Sequence, residues 1–522
     1  MKTKISILLI AVGLLAVSCD NFLDVNDDPN NPSEVTPDLV LPTGLNYTAE
    51  YVQQDRRLNH LGNMMMFNFG EAQGFNWYRD EFRYAVNSTF YDNLFDDAYS
   101  SALKQYKVLA NLEGDNGYYR AIGMIMQAYH FQILVDLYGS VPYSEALKRG
   151  ENANPVYDNP EEIYKDLLNR LSGAISTIDS TASTSSAVEV GEDDTVFDGD
   201  MAKWKQFANT LKVRILSRYA DVGDPAFING ELTKIQNSGD GYIEDLAVKI
   251  NPGYLKEEED KQNPYWNDLG KDASGNETLS YKATAATQFV VEYLQGTKDP
   301  RLGYIFEKPE ENEYRGVNQG APNDDKSVYA PPLVSNLNLY GGVLKGPTMG
   351  SVIMTKAEHE LNLAALAEKG LNVQGTVEEH YKAGIEASFK YLLDAGDTEQ
   401  SDLADVDADS AANAYISRQA VWSGAENAMD AIMTQKWIAT MGINAAQAWF
   451  DYNRTGYPSA QPVGAGAARA SATGFPMSES DAVSGRNDRP VRLYYPQSEA
   501  TRNSANLPSQ PDVFTAKIFW AN

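Results

Sequence analysis

Residues 117–138 read GYYRAIGMIMQAYHFQILVDLY, and this stretch decides the fold. Ile122, Ile125, Tyr129, Ile133 and Leu137 recur at intervals of three and four, which places them on one face of an α-helix. The helix is preceded by Gly114-Asp115-Asn116-Gly117, a run of turn formers that separates it from a candidate helix over 88–113. Working outward, the same periodicity returns along the chain. Pro160 and Glu161 open a helix over 160–179, whose stripe is Ile163, Leu167, Leu171, Ile175 and Ile178. Trp204, Phe207, Leu211, Ile215 and Tyr219 mark a helix over 201–220. Further helices are predicted over 355–369, 376–394, 424–441 and 443–453. They come as pairs with short Gly/Asn breaks, as in tetratricopeptide-like repeats, although no strict 34-residue period survives. The predicted fold is all-α, a scaffold of helix pairs interrupted by large loop-rich insertions.

The insertions have a different composition. Residues 180–200 are rich in Ser, Thr, Asp and Gly and read as a linker. Residues 238–283, 296–350 and 456–490 carry Gly, Pro, Asn, Ala and Tyr with little periodicity. Structureless stretches this long inside a compact chain are usually functional, so the three are expected to build the binding surface on the helical frame.

The first residues predict the compartment. Lys2 and Lys4 precede an apolar run from Ile5 to Val17, too short to span a bilayer and typical of a secretory leader. The leader is expected to cover 1–18. Leu15-Ala16-Val17-Ser18-Cys19 fits a loose lipobox, in which the thiol of Cys19 takes a diacylglycerol. Two or three acyl chains, at about 0.8 kcal/mol per buried CH2, would anchor the protein stably. Residues 19–37, polar and rich in Pro, Asn and Asp, then read as a lipid-anchored tether, and 38–522 as the folded domain. Cys19 is the only cysteine, so the core is held without disulfides.

The formal charge is −29, or −31 once Lys2 and Lys4 leave with the leader. Nucleic acid, which demands basic patches, is excluded as a partner. With 43% hydrophobic and 11% aromatic residues the acidic balance is that of a globular protein, not of a disordered one.

Several ordered stretches carry a family resemblance. They are the segment from Cys19 to Asn26, the run from Asp136 to Ala146, and Gly199-Asp200 followed by Trp204 to Arg214. Asp299-Pro300-Arg301-Leu302, Tyr314-Arg315-Gly316, Gln435 to Ala439, Trp449 to Pro458 and Arg492 to Glu499 complete the series. In this joint order the chain resembles the SusD/RagB-like nutrient-binding outer-membrane lipoproteins of Bacteroidetes. The resemblance implies a helical scaffold with four tetratricopeptide-like pairs and a surface-exposed location on the cell outer membrane. It also implies glycans or other nutrients as ligands, and a SusC-like TonB-dependent barrel as the partner that receives them.

Sugar binding uses flat aromatic faces against C–H surfaces, with polar side chains on the hydroxyls. Two clusters offer both. Phe75-Asn76-Trp77-Tyr78-Arg79 follows Gly70 and Gly74, and Asn263-Pro264-Tyr265-Trp266-Asn267 lies in the second insertion. Trp77, Tyr78, Arg79, Tyr265, Trp266, Asn267 and, beside Gly341-Gly342, Tyr340 are the candidate ligand residues, on the expectation that tryptophan in polar, Gly- or Pro-flanked sequence is exposed. Trp204, Trp437 and Trp449 lie on helical stripes and read as core, with Trp520 as a packing plug.

No cofactor and no catalytic residues are assigned. The four histidines lack zinc-site spacing, and no nucleophile elbow, phosphate loop or dinucleotide fingerprint stands out. The run Asp402 to Asp409 lacks the Gly and closing Glu of an EF-hand loop and reads as solvated rather than calcium-binding. Binding without chemistry is therefore the leading expectation. The alternatives are a helical-repeat scaffold for protein partners at the cell surface and a glycoside hydrolase, whose two carboxyls at a set separation a sequence does not reveal.

Overall fold

The computed structural model describes residues 36–521 apart from 149–150, 310–312, 322–325, 395–405, 420–426 and 461–473. Cys19, the tether as far as residue 35, and Asp402 of the acidic run lie outside the described residues.

Twelve helices make the frame: α1 (Pro37–Gln53), α2 (Leu58–Met65), α3 (Leu103–Ala110), α4 (Gly117–Tyr138), α5 (Pro160–Thr181), α6 (Met201–Tyr219), α7 (Pro225–Ser238), α8 (Lys356–Glu368), α9 (Val377–Leu393), α10 (Ala408–Gln419), α11 (Ala428–Thr440) and α12 (Ala445–Thr455). Shorter helical turns lie between them. Local chemistry sets several of the ends. The Asn159 side chain accepts from the Glu161 and Glu162 amides at 2.9 and 3.2 Å, with Pro160 as the first residue of α5. Asp200 caps α6 in the same way, and Thr376 and Glu379 form a capping box on α9. Gly139, at φ +78°, ends α4 in a conformation that costs a glycine nothing.

The pairs are α3/α4, α5/α6, α8/α9 and α11/α12, stacked so that α4 also packs on α5, α6 on α8, and α8 on α11. This is the predicted tetratricopeptide-like arrangement. The helix predicted over 88–113 is observed as continuous helical backbone over 93–110, with a π-helical segment inside it. A short turn at Asn93–Asp97 leads through a π-turn at Ala98–Ala102 into α3. Helices α1, α2, α7 and α10 were not foreseen. The expected tether runs up to Pro37, which is the first residue of α1, and Asn229-Gly230 hides the periodicity of α7.

The insertions are less open than their composition suggests. Three two-stranded antiparallel ribbons stitch them to the frame: β1 (Phe69–Glu71) with β5 (Thr284–Ala286), β2 (Val141–Pro142) with β3 (Tyr157–Asp158), and β4 (Ala247–Ile250) with β6 (Ser351–Thr355). Of the acidic run, Asp407 serves as a cap, accepting from the Ser410 amide at 2.7 Å at the start of α10. The main apolar core is continuous from Leu41 to Trp520.

Through the middle of the stack runs a buried charge network contributed by α4, α6, α8, α11 and α12, so that all four pairs take part. Arg218 of α6 donates to Gln447 at 2.7 Å and lies 3.6 Å from Asp451 of α12 and 4.0 Å from Asp136 of α4. Lys436 of α11 reaches Asp451 at 2.5 Å and Asn362 of α8 at 2.6 Å. Arg454 closes on Asp451 at 3.2 Å and also pairs with Asp221. Arg214 of α6 stands 3.6 Å from Glu358 of α8. A second buried ion pair fixes the turn before α8's neighbours: Arg301 binds Asp299 in a fork at 3.0 and 2.6 Å and is held between the rings of Phe389 and Tyr415. Much of the residue pattern that carries the family resemblance is thus this interior wiring.

Candidate functional site

The site is built where α2 passes into β1. Glu71, the last residue of β1, turns its carboxylate onto the loop that follows and accepts from the backbone amides of Trp77 and, at 3.1 Å, Tyr78. Burial pushes the Glu71 carboxyl above its ordinary range, partly offset by those two amides. The other side of the loop is tied by the Gln73 amide donating to the Tyr329 carbonyl at 2.8 Å and by Arg56 donating to the Trp77 carbonyl at 3.1 Å. Gly74, at φ +108°, supplies a backbone turn that a side chain would strain.

Successive residues on this pinned backbone face opposite ways. Trp77 points outward, 37% exposed, its ring edge-on to Phe75 with centroids 5.2 Å apart. Tyr78 points inward and is fully buried; its hydroxyl meets Thr284 of β5 at 3.0 Å and its ring packs on His60 at 4.8 Å. Arg79 is exposed. Next to the loop lies an open cavity of about 480 Å3. Glu71, Gln73, Phe75, Asn76, Arg79 and Arg83 form one wall, and Asn318, Gly320, Ser480 and Asp481 the other. Amides, hydroxyls and two guanidiniums beside an aromatic edge can bond sugar hydroxyls, and the volume is that of a small-molecule site.

The second cluster is different, and the structure corrects the expectation that its rings are exposed. Asn263 caps a short helix, Pro264–Leu269, by accepting from the Tyr265 and Trp266 amides at 3.0 and 3.1 Å. Its own amide group donates to the Met349 carbonyl at 2.9 Å, which docks the helix inward. Tyr265 and Trp266 are each 1% exposed, and Asn267 is half-buried. Trp266 donates to the Lys271 carbonyl at 3.0 Å, and its ring lies 4.8 Å from that of Tyr340, also buried. The Pro and Asn that resemble loop composition are here a helix cap, and a capped amphipathic turn buries its aromatic side. The same correction applies to Tyr78. Neither Tyr265, Trp266, Asn267 nor Tyr340 lines the Trp77 cavity.

The two clusters meet under the surface instead. His60 Nδ1 lies 2.7 Å from Asp55 Oδ1, and the Asp55 amide donates to Asp268 at 2.7 Å. Burial pushes the Asp268 carboxyl up to about 6. This chain of contacts ties the Pro264–Leu269 helix to the ring of Tyr78 and so to the floor under Trp77. The far wall, Asn318 to Asp481, had no signal in the sequence, because its residues are distant in the chain and chemically ordinary. Trp204, Trp437, Trp449 and Trp520 are all buried, as their helical stripes and terminal position suggest.

Comparison with known proteins agrees with the architecture. A family model described as SusD-like, starch-binding and associating with the outer membrane, matches residues 29–496. Among solved structures, a chitin-binding SusD homologue from Flavobacterium johnsoniae superposes with a TM-score of 0.69 at 22% identity, covering 93% of this chain and 98% of its own. A SusD homologue from Bacteroides uniformis gives 0.69 at 23% identity, covering 92% and 99%. A SusD-like protein from Bacteroides thetaiotaomicron gives 0.67 at 22%, covering 93% and 99%. No curated protein matches the chain. At such identities the structural likeness speaks for the fold, and the family match, which takes in all four helix pairs and the Trp77 loop, settles the kinship: the chain belongs to the SusD-like family.

Proposed function

We propose that this protein is a surface-exposed lipoprotein of the outer membrane that binds an oligosaccharide at the Trp77 cavity and delivers it to a SusC-like TonB-dependent barrel. The observation that carries the reading is Trp77 itself. It is the one tryptophan held outward among the described residues, on a loop locked by Glu71 whose Phe75, Asn76 and Arg79 line a polar cavity. An edge-braced indole is a rigid platform for a pyranose face. The starch-binding description of the family, and a chitin-binding homologue of the same fold, support a glycan as the ligand. Binding rather than hydrolysis is favoured because Glu71 is already engaged with two backbone amides.

Calorimetry with malto- and chito-oligosaccharides tests the site. Trp77→Ala is expected to weaken binding of the active glycan at least about tenfold, or about 1.4 kcal/mol, with the melting temperature unchanged. Unaltered affinity in that variant sinks the site, and sugar products after prolonged incubation sink the non-enzymatic reading. Anchoring through Cys19 has its own check: labelled palmitate is expected to enter the wild type and not Cys19→Ser, which should appear free in the periplasm. Delivery to a barrel predicts that the two proteins co-purify from outer membranes.

A further inference from the structure

On the strand ribbon β4/β6, away from the Trp77 loop, lies a cavity of about 380 Å3 whose character opposes that of the whole chain. In a protein of net charge −29 it is lined by three lysines, Lys249 of β4, Lys256 and Lys345, together with Tyr391 of α9, Thr348 and Gly350. The ammonium of Lys345 lies 5.0 Å from the centroid of the Tyr391 ring, and that of Lys249 lies 5.9 Å from the same centroid. Two cations therefore share one aromatic ring. Among the described residues the carboxylate paired with Lys345 is that of Asp394 at 3.8 Å, and this side chain is mostly exposed. Lys345 also donates to the Asp394 backbone carbonyl. Among the described residues neither Lys249 nor Lys256 has an ion-pair partner, while the acidic neighbour Glu258 is taken by Lys261 at 2.6 Å. The close packing is built in: a Cβ on Gly350 would stand 2.8 Å from the Cβ of Lys249, so only glycine lets the 346–350 loop lie against that lysine.

Three ammonium groups around one concavity repel one another, and burial adds to the cost for the one at the bottom. An anion seated between them removes both penalties. We propose that this cavity is a second binding site, for a solute bearing an oxyanion: the carboxylate of a uronic acid or the sulfate ester of a sulfated sugar. The ammoniums of Lys345 and Lys249 would grip the oxyanion, and the Thr348 hydroxyl and Tyr391 ring would take the body of the solute. The site is separate from the Trp77 cavity and does not rest on it.

Titration calorimetry of the mature protein at low ionic strength tests this with three probes: a trigalacturonate, galactose 6-sulfate and neutral maltotriose. At least one anionic probe is expected to bind, more weakly as salt rises. Lys345→Met and Lys249→Gln are each expected to lower that affinity at least about tenfold, while Trp77→Ala leaves it unchanged. Burial, with Lys249 nearby and opposed by Asp394, holds the Lys345 amine down at about 8, so binding near pH 8 is expected to take up protons in the wild type and not in Lys345→Met. The exposed Lys249 gives a variant that retains the fold. Which anionic probe binds tells carboxylate from sulfate. Failure of both to bind, or binding that survives Lys249→Gln and Lys345→Met unaltered, overturns the proposal.

Discussion

Asp451→Ala is expected to cost about 3–5 kcal/mol of stability, read as a fall in the urea midpoint and melting temperature of the mature protein. The reason is the charge that remains. Asp451 is the shared counter-ion of Arg218, Lys436 and Arg454, all buried, at 3.6, 2.5 and 3.2 Å. Removing it leaves Lys436 without a carboxylate partner and weakens the compensation of Arg218 and Arg454, the latter keeping Asp221, in an interior where an unpaired charge is far costlier than a lost surface pair. Asp136 at 4.0 Å and Gln447 at 2.7 Å compensate Arg218 only in part. Burial alone would raise the Asp451 carboxyl, but Arg218, Lys436 and Arg454 outweigh it and hold it far below the usual carboxylate range. Because the folded-state value is depressed, its stabilisation is complete above the ordinary carboxylate pKa near 4 and is lost as pH falls below it. The variant should therefore show a shallower loss of stability between about pH 4 and pH 2 than the wild type. A loss under about 1 kcal/mol would mean that the network contributes little to holding the pairs together.

Gly62→Ala has an expected sign opposite to that given by helix propensity. Within a helix, Ala for Gly ordinarily gains about 1 kcal/mol. Gly62 lies in the middle of α2, where that gain would apply. Here a Cβ would overlap the backbone nitrogen of Ala446 and the carbonyl carbon of Ala445, with the Ala446 Cα at 2.5 Å. Backbone cannot rotate away as a side chain does, so α2 and α12 must separate. Their junction is also hydrogen-bonded: Asn59 accepts from the Ala445 amide at 3.1 Å, and Asn63 accepts from the Gly442 amide at 2.9 Å. Overpacking against fixed backbone costs about 3 kcal/mol, which exceeds the propensity gain. Because α2 runs directly into β1, glycan binding at Trp77 should weaken along with stability. A variant as stable as the wild type would show that the α2/α12 contact is looser than these distances imply.

The candidate site was half legible. Phe75 to Arg79 stood out because an aromatic run between glycines has no helical stripe to belong to. Which of its rings faces water was not legible, since Trp77 and Tyr78 are neighbours of similar chemistry. Their fates divide only because Glu71 and Thr284 pin the backbone between them. Asn263 to Asn267 had the same local appearance and the opposite outcome. Its Asn and Pro cap a helix, and the Met349 carbonyl from 86 residues away draws that helix into the core. The basic cavity around Lys345 had no sequence signature, because Lys345 comes from a segment about ninety residues beyond Lys249 and Lys256 in an acidic chain.

What this sequence determined alone is what short-range chemistry encodes. The helices from Gly117 to Tyr138, Pro160 to Thr181 and Met201 to Tyr219 follow from apolar periodicity, with Asn159, Asp200 and Gly139 at their ends, because helical hydrogen bonds and caps span only a few residues. The pairing of α3 with α4, α8 with α9 and α11 with α12 follows from the short breaks between them. Tertiary structure alone decided which aromatic rings are walls and which are filling, where the buried carboxylates find their cations, and which lysines gather around one cavity. Those are contacts between residues far apart in the chain, and burial is a property of the neighbours a residue acquires on folding.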